Sequence, residues 1–92
     1  MMTLKTTGQF RKDYKRCKKR GLDMRLLETV VDTLLAEKPL DAKHRDHALT
    51  GNYDGFRECH IQPDWLLIYK IENGRLLLTL AWTGTHSDLF GK

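Results

Sequence analysis

The sequence predicts an α+β fold in the order βααβββ, with two N-terminal helices packed on an antiparallel sheet. Two observations carry the prediction. Apolar residues recur at helical spacing in the first third of the chain, and three strand-like runs separated by turn signals fill its second half. Ninety-two residues suit one domain spanning 1–92. At 40% hydrophobic and 30% charged, the chain is neither a disordered tail nor a collagen-like repeat.

Residues 3–6 suit a short first strand, broken by Thr7, Gly8 and Gln9. From Phe10 the apolar positions Phe10, Tyr14 and Cys17 share one helical face, and Gly21 supplies the stop. Asp23 is placed to cap a second helix, with Leu22 and Leu27 spaced as a hydrophobic staple. Leu26, Leu27, Val30, Val31, Leu34 and Leu35 form its apolar stripe, which ends near Lys38 and Pro39. Residues 39–55 lose periodicity and read as a connecting loop of a length that tends to carry function. Strands are expected at 56–61, 65–71 and 75–83, with turns at Pro63-Asp64 and Asn73-Gly74. Trp65-Leu66-Leu67-Ile68-Tyr69 is apolar on both faces, which marks a central strand.

The charge is unevenly placed. Residues 1–20 hold eight of the sixteen basic side chains against Asp13 alone, while the remainder carries eight basic and eleven acidic groups. A field so lopsided, with Lys15, Lys18 and Lys19 on the first helix, attracts polyanions such as nucleic acid; the plainer reading is a solvated helix face. No apolar run is long enough to span a bilayer, and residues 1–10 lack a signal-peptide pattern, so a cytoplasmic protein without a membrane partner is expected. Cys17 and Cys59 are too few for a disulfide scaffold and are expected to be reduced.

The four histidines, His44, His47, His60 and His86, fall in loops or at strand ends. The tight turn after His60 should bring Asp64 beside it, whereas whether His86 joins them depends on strand order. Histidines and a carboxylate beside a basic surface suit RNA cleavage by the 2′-hydroxyl. That reaction needs a base, an acid and a cation for the pentacovalent phosphate, and imidazole titrates in the right range. Arg57 is a candidate cation, and Phe90 or Trp65 a candidate stacking surface. Each has a plainer alternative: Asp64 as a turn former, Phe90 as core, Arg57 paired with Glu58 or Asp88. A zinc site from His47, His60, Asp64 and His86 matches no compact metal signature, and no P-loop or dinucleotide fingerprint is present. No metal and no cofactor are expected.

Taken in order, four segments resemble the YafQ branch of the RelE/ParE toxin superfamily. They are His47-Ala48-Leu49-Thr50-Gly51, Gly55-Phe56-Arg57-Glu58-Cys59-His60-Ile61, Pro63-Asp64-Trp65-Leu66-Leu67-Ile68-Tyr69-Lys70 and Thr83-Gly84-Thr85-His86-Ser87-Asp88-Leu89-Phe90. The resemblance implies a ribosome-dependent endoribonuclease that enters the A site, cuts translated messenger RNA and is blocked by a cognate antitoxin. Carried over by position, it implies a catalytic set of His47, His60, Asp64 and His86, with Phe90 near the substrate base. His86 and Asp64 would move protons, and His47 and His60 would orient or charge the phosphate. Arg57 would be the transition-state cation by similarity to other members of the superfamily, and His44 is left as a surface residue. The basic first helix would meet ribosomal RNA or an acidic antitoxin segment. The alternatives are a ParE-like inhibitor of a protein target such as gyrase, and an inactive member that binds its antitoxin and helps repress their operon.

Overall fold

The computed structural model describes residues 2–91. The chain runs β1 (Thr3–Thr6), α1 (Gly8–Lys19), α2 (Met24–Leu35), β2 (His47–Ala48), β3 (Arg57–Gln62), β4 (Trp65–Glu72), β5 (Leu77–Gly84) and α3 (His86–Phe90). Helix α1 starts two residues before Phe10 because Thr7 caps it, its hydroxyl accepting the Phe10 N–H at 3.0 Å and donating to the Ala81 carbonyl at 2.8 Å. Asp23 caps α2 as expected, accepting the Arg25 N–H.

The sheet order is β1-β5-β4-β3-β2. The expected antiparallel meander holds for β3, β4 and β5, but β1 pairs parallel to β5, with Leu4 opposite Leu78 and Thr6 opposite Leu80. Two hairpins fix the direction of β5, and only its outer edge remains open to β1. The sheet is therefore mixed.

Three further elements depart from the expectation. The 39–55 segment contains two 3₁₀ turns, Ala42–His44 and Gly51–Tyr53, and the strand β2, which sets His47 opposite Glu58. A 3₁₀ turn at Asn73–Arg75 followed by Leu76 at φ 48° replaces the two-residue hairpin turn, so β5 begins at Leu77. Finally, the tail coils into α3 through a capping box: Thr85 and Asp88 each accept the other's backbone N–H.

Helices α1 and α2 cover one face of the sheet. Phe10, Cys17, Leu27, Val30 and Leu34 pack there on Cys59, Ile61, Trp65, Leu67, Tyr69, Leu78 and Leu80. Each such side chain contributes about 1.5–3 kcal/mol through burial. Leu66 and Ile68 point to the opposite face and are buried too, as the doubly apolar central strand requires. A bulge at Ala81 pairs Trp82 with Ile68, putting the indole on that second face. There Tyr53, Phe56, Trp82 and Phe90 meet edge to face, with ring centres 5.4–5.8 Å apart.

Candidate active site

Strand alternation decides which side chains of β3 can do chemistry. Cys59 and Ile61 point into the helix-covered core, so Glu58 and His60 project from the open face. Strand β2 lays His47 beside Glu58, the turn after β3 carries Asp64, and α3 begins at His86. All four histidine and aspartate positions of the expected set therefore converge on one surface.

Glu58 lies between two imidazoles. Its carboxylate, only 9% exposed, is 3.4 Å from His60 Nε2 and 3.7 Å from His47 Nε2. The opposite ring nitrogens are tied to backbone carbonyls: His60 Nδ1 donates to Pro63 at 3.2 Å and His47 Nδ1 to Arg45 at 2.7 Å. Those anchors leave both Nε2 atoms turned toward the carboxylate. The His60 and His86 ring centres are 5.8 Å apart. Asp64 accepts His86 twice, from Nδ1 at 2.8 Å and from the backbone N–H at 3.2 Å, which leaves His86 Nε2 unclaimed by that partner. The His86 hydrogen bonds hold the Asp64 carboxyl below its ordinary value of 3.8. The lowered Asp64 carboxyl is placed to accept from the His86 ring and fix its orientation.

Glu58 is the member that the sequence analysis missed. Its signal was the i, i+2 spacing from His60 in a strand. Donor atoms of Glu58, His60 and His86 lie within 4.8 Å of one another, a spacing from which a transition-metal ion could be held. This set differs from the four residues weighed above, because Asp64 serves His86 instead.

Three assignments change. Arg57 alternates to the other side of the sheet, where Asp46 binds its guanidinium at 2.9 Å and Tyr69 donates to the same carboxylate; it is not brought to the histidines, nor does it pair with Glu58 or Asp88. Trp65 is buried with its indole N–H on Thr83 Oγ1 and offers no stacking face. Phe90 is half-buried against Tyr53 and stays beside His86 on α3. His44 is more than a surface residue, since its Nδ1 donates to the His60 carbonyl at 2.7 Å. Burial pushes the Cys59 thiol up to about 12 and the Cys17 thiol up as well, so neither serves as a nucleophile.

The basic first helix divides in two. Arg20 turns to Asp88 at 2.6 Å and fastens α3 to α1, while Arg16 bonds Asp13 of its own helix at 3.2 Å and lies 3.8 Å from Asp88. The Arg20 hydrogen bonds pull the Asp88 carboxyl well below the usual range. Lys15, Lys18 and Lys19 are exposed and make no ion pair among the described residues.

The family model of YafQ, the bacterial toxin of type II toxin–antitoxin systems, matches residues 2–91. The mRNA interferase toxin YafQ of Escherichia coli strain K12 is 43% identical over 86 residues, covering 92% of this chain and 91% of that protein. A metal-bound toxin from Helicobacter pylori superposes at a TM-score of 0.92 with 46% identity, over 98% of this chain and 100% of that one. In the E. coli DinJ–YafQ complex, a chain 40% identical superposes at 0.91, over 99% and 100%.

Proposed function

Because the chain belongs to the YafQ family of bacterial type II toxins, we propose that it is an mRNA interferase, cutting translated messenger RNA on the ribosome by metal-independent acid–base catalysis. The pairing of an Asp64-oriented His86 with a Glu58-linked His60 carries the reading. The 2′-hydroxyl gives its proton to the Glu58–His60 pair and attacks the adjacent phosphorus. The bond from phosphorus to the 5′-oxygen breaks, and the departing oxygen takes a proton from His86, whose imidazolium Asp64 stabilises. A 2′,3′-cyclic phosphate and a 5′-hydroxyl result. His47 adds positive charge beside the phosphate when protonated.

A metal ion held by Glu58, His60 and His86 would be a Lewis acid, and it would also occupy lone pairs that these proton transfers use. Phe90 and its aromatic neighbours offer a stacking surface for a base next to the cut. Lys15, Lys18 and Lys19 supply the cations for ribosomal RNA or for an acidic antitoxin segment.

The test is expression of the chain and of His86→Ala in growing cells, with transcript cleavage followed. Growth arrest and cleavage should accompany the parent only, and cleavage in a translation reaction should be undiminished when the purified chain has first been stripped with a transition-metal chelator and the chelator removed. Arrest with intact transcripts would instead favour a ParE-like inhibitor of a protein target. Folded protein without toxicity would favour the operon-repressing member.

A further inference from the structure

Beside the histidine cluster lies a cavity of about 600 Å³ that the reaction above does not use. His60 lines this cavity as well as the histidine cluster, while Leu26 and Ile61 reach it from the helix-covered side, so it lies at the free edge of β3. Leu26, Ile61 and Pro63 line one part of it, and Lys43 and Arg45 from the segment before β2 line another. Leu26 is one of the few large apolar side chains exposed among the described residues.

One of the cations there, Arg45, is of an unusual kind for this molecule. Arg11, Arg16, Arg20, Arg25, Arg57 and Arg75 all spend their guanidinium groups on protein acceptors. Arg45 alone, among the described arginines, makes no side-chain hydrogen bond or ion pair, and the Lys43 ammonium makes none either. Their backbone is nevertheless held firmly. Arg45 sits at φ 48° and ψ 43°, a left-handed conformation that a non-glycine residue adopts only when its surroundings enforce it. The enforcing contacts reach the catalytic residues. The Arg45 carbonyl accepts His47 Nδ1, and the intervening His44 donates to the His60 carbonyl.

We propose that this cavity is a nucleotide subsite, taking the neighbour of the scissile phosphate on the cleaved RNA strand. Its base lies on Leu26, Ile61 and Pro63, and its phosphate is held by the Arg45 fork and the Lys43 point charge. An apolar wall with two unspent cations at one end matches one nucleotide, which has a flat base and a single negative charge. The shared residue His60 is the reason to assign it to the same strand as the reacting phosphate. His44 is then a positioning residue that ties the subsite to the catalytic ring. The inference rests on the nuclease reading, and its test is separable from it.

The probe is a single-stranded trinucleotide with 2′-O-methyl riboses, which binds but cannot be cut. Amide shifts of the full chain should move at Lys43, His44, Arg45, Ile61 and Gln62. Arg45→Gly removes the cation yet admits the φ of 48°. Together with Lys43→Ala it should weaken binding about tenfold or more, and flatten the salt dependence by roughly 0.7 for each phosphate that is no longer neutralised. Arg45→Lys should recover part of the affinity. On the translated substrate the double variant should raise KM with little change in kcat. Shifts confined to α1, or a double variant that binds as the parent does, would overturn the subsite. So would a cavity that takes an acidic peptide and ignores the oligonucleotide. If the parent cuts no transcript while the probe still fills the cavity, the nuclease reading fails and RNA binding at the cavity stands.

Discussion

Replacing Asp64 by Asn tests the central geometry with almost no change of shape. The carboxylate accepts His86 Nδ1 at 2.8 Å and the His86 N–H at 3.2 Å. A neutral acceptor holds the first bond less strongly than a charged one. The imidazolium formed in the reaction also loses a neighbouring negative charge. Two unit charges 4 Å apart interact by about 1 kcal/mol in water and about 4 at an effective dielectric of 20. The Asp64 side chain is 69% exposed, which puts the effect near the lower figure. Together these should lower kcat by some 10- to 100-fold, the size typical of a weakened acid–base partner. The assay is cleavage of a reporter transcript in a reconstituted translation reaction at saturating substrate, with a thermal melt alongside. The melt should change little, because so exposed a side chain contributes little to folding. Activity within twofold of the parent would refute the orienting role. A fall of several degrees in Tm would show that the loss came from folding. In the parent, the Asp64 carboxyl should titrate below its ordinary 3.8, and His86→Ala should raise it toward that value in an NMR titration.

Glu58→Gln leaves two imidazoles without their shared anion and should lower kcat by about 10²-fold, a size typical of a lost acid or base; an unimpaired single-turnover rate would remove Glu58 from the chemistry. Asp88→Asn should cost about 1–2 kcal/mol at neutral pH, discounted because Arg20 is 46% exposed. Its folded-state carboxyl is depressed, so that stability is fully present above the ordinary carboxylate range and is lost as pH falls through the lower folded value. Denaturant curves of parent and variant should therefore begin to approach one another as pH falls below about 4 and meet only below the depressed folded value, and a constant gap would be contrary. At Gly84, φ is 155° and an added Cβ would stand 2.9 Å from Asp88 Oδ2. Gly84→Ala should thus destabilise by about 1–3 kcal/mol and loosen α3, read as a lowered Tm; an unchanged melt would contradict the crowding.

The sequence itself carries the signals that act over a few residues. Asp23 as a cap, the α2 stripe from Leu26 to Leu35 and the doubly apolar β4 core all follow from spacing, because each depends on neighbours within one or two turns. The capping box of Thr85 and Asp88 is equally local, although the tail around it reads simply as polar chain leaving a strand. The four histidine and aspartate positions came from resemblance, since nothing in their spacing joins His86 to His60.

What tertiary structure alone decided is which side chains share a surface. Arg57 and Glu58 are adjacent in the chain, yet the two-residue period of a strand sends one to Asp46 and the other to the histidines. His86 reaches Asp64 across 22 positions because β4 and β5 pair, bringing the end of β5 beside the turn before β4. Likewise, Arg20 looks like a free cation until α3 packs on α1 and Asp88 takes it up, whereas Arg16 already has Asp13 on its own helix. Local propensity shapes the elements through contacts that every short segment contains. Pairings between distant strands exist only once the chain has closed, and no single segment encodes them.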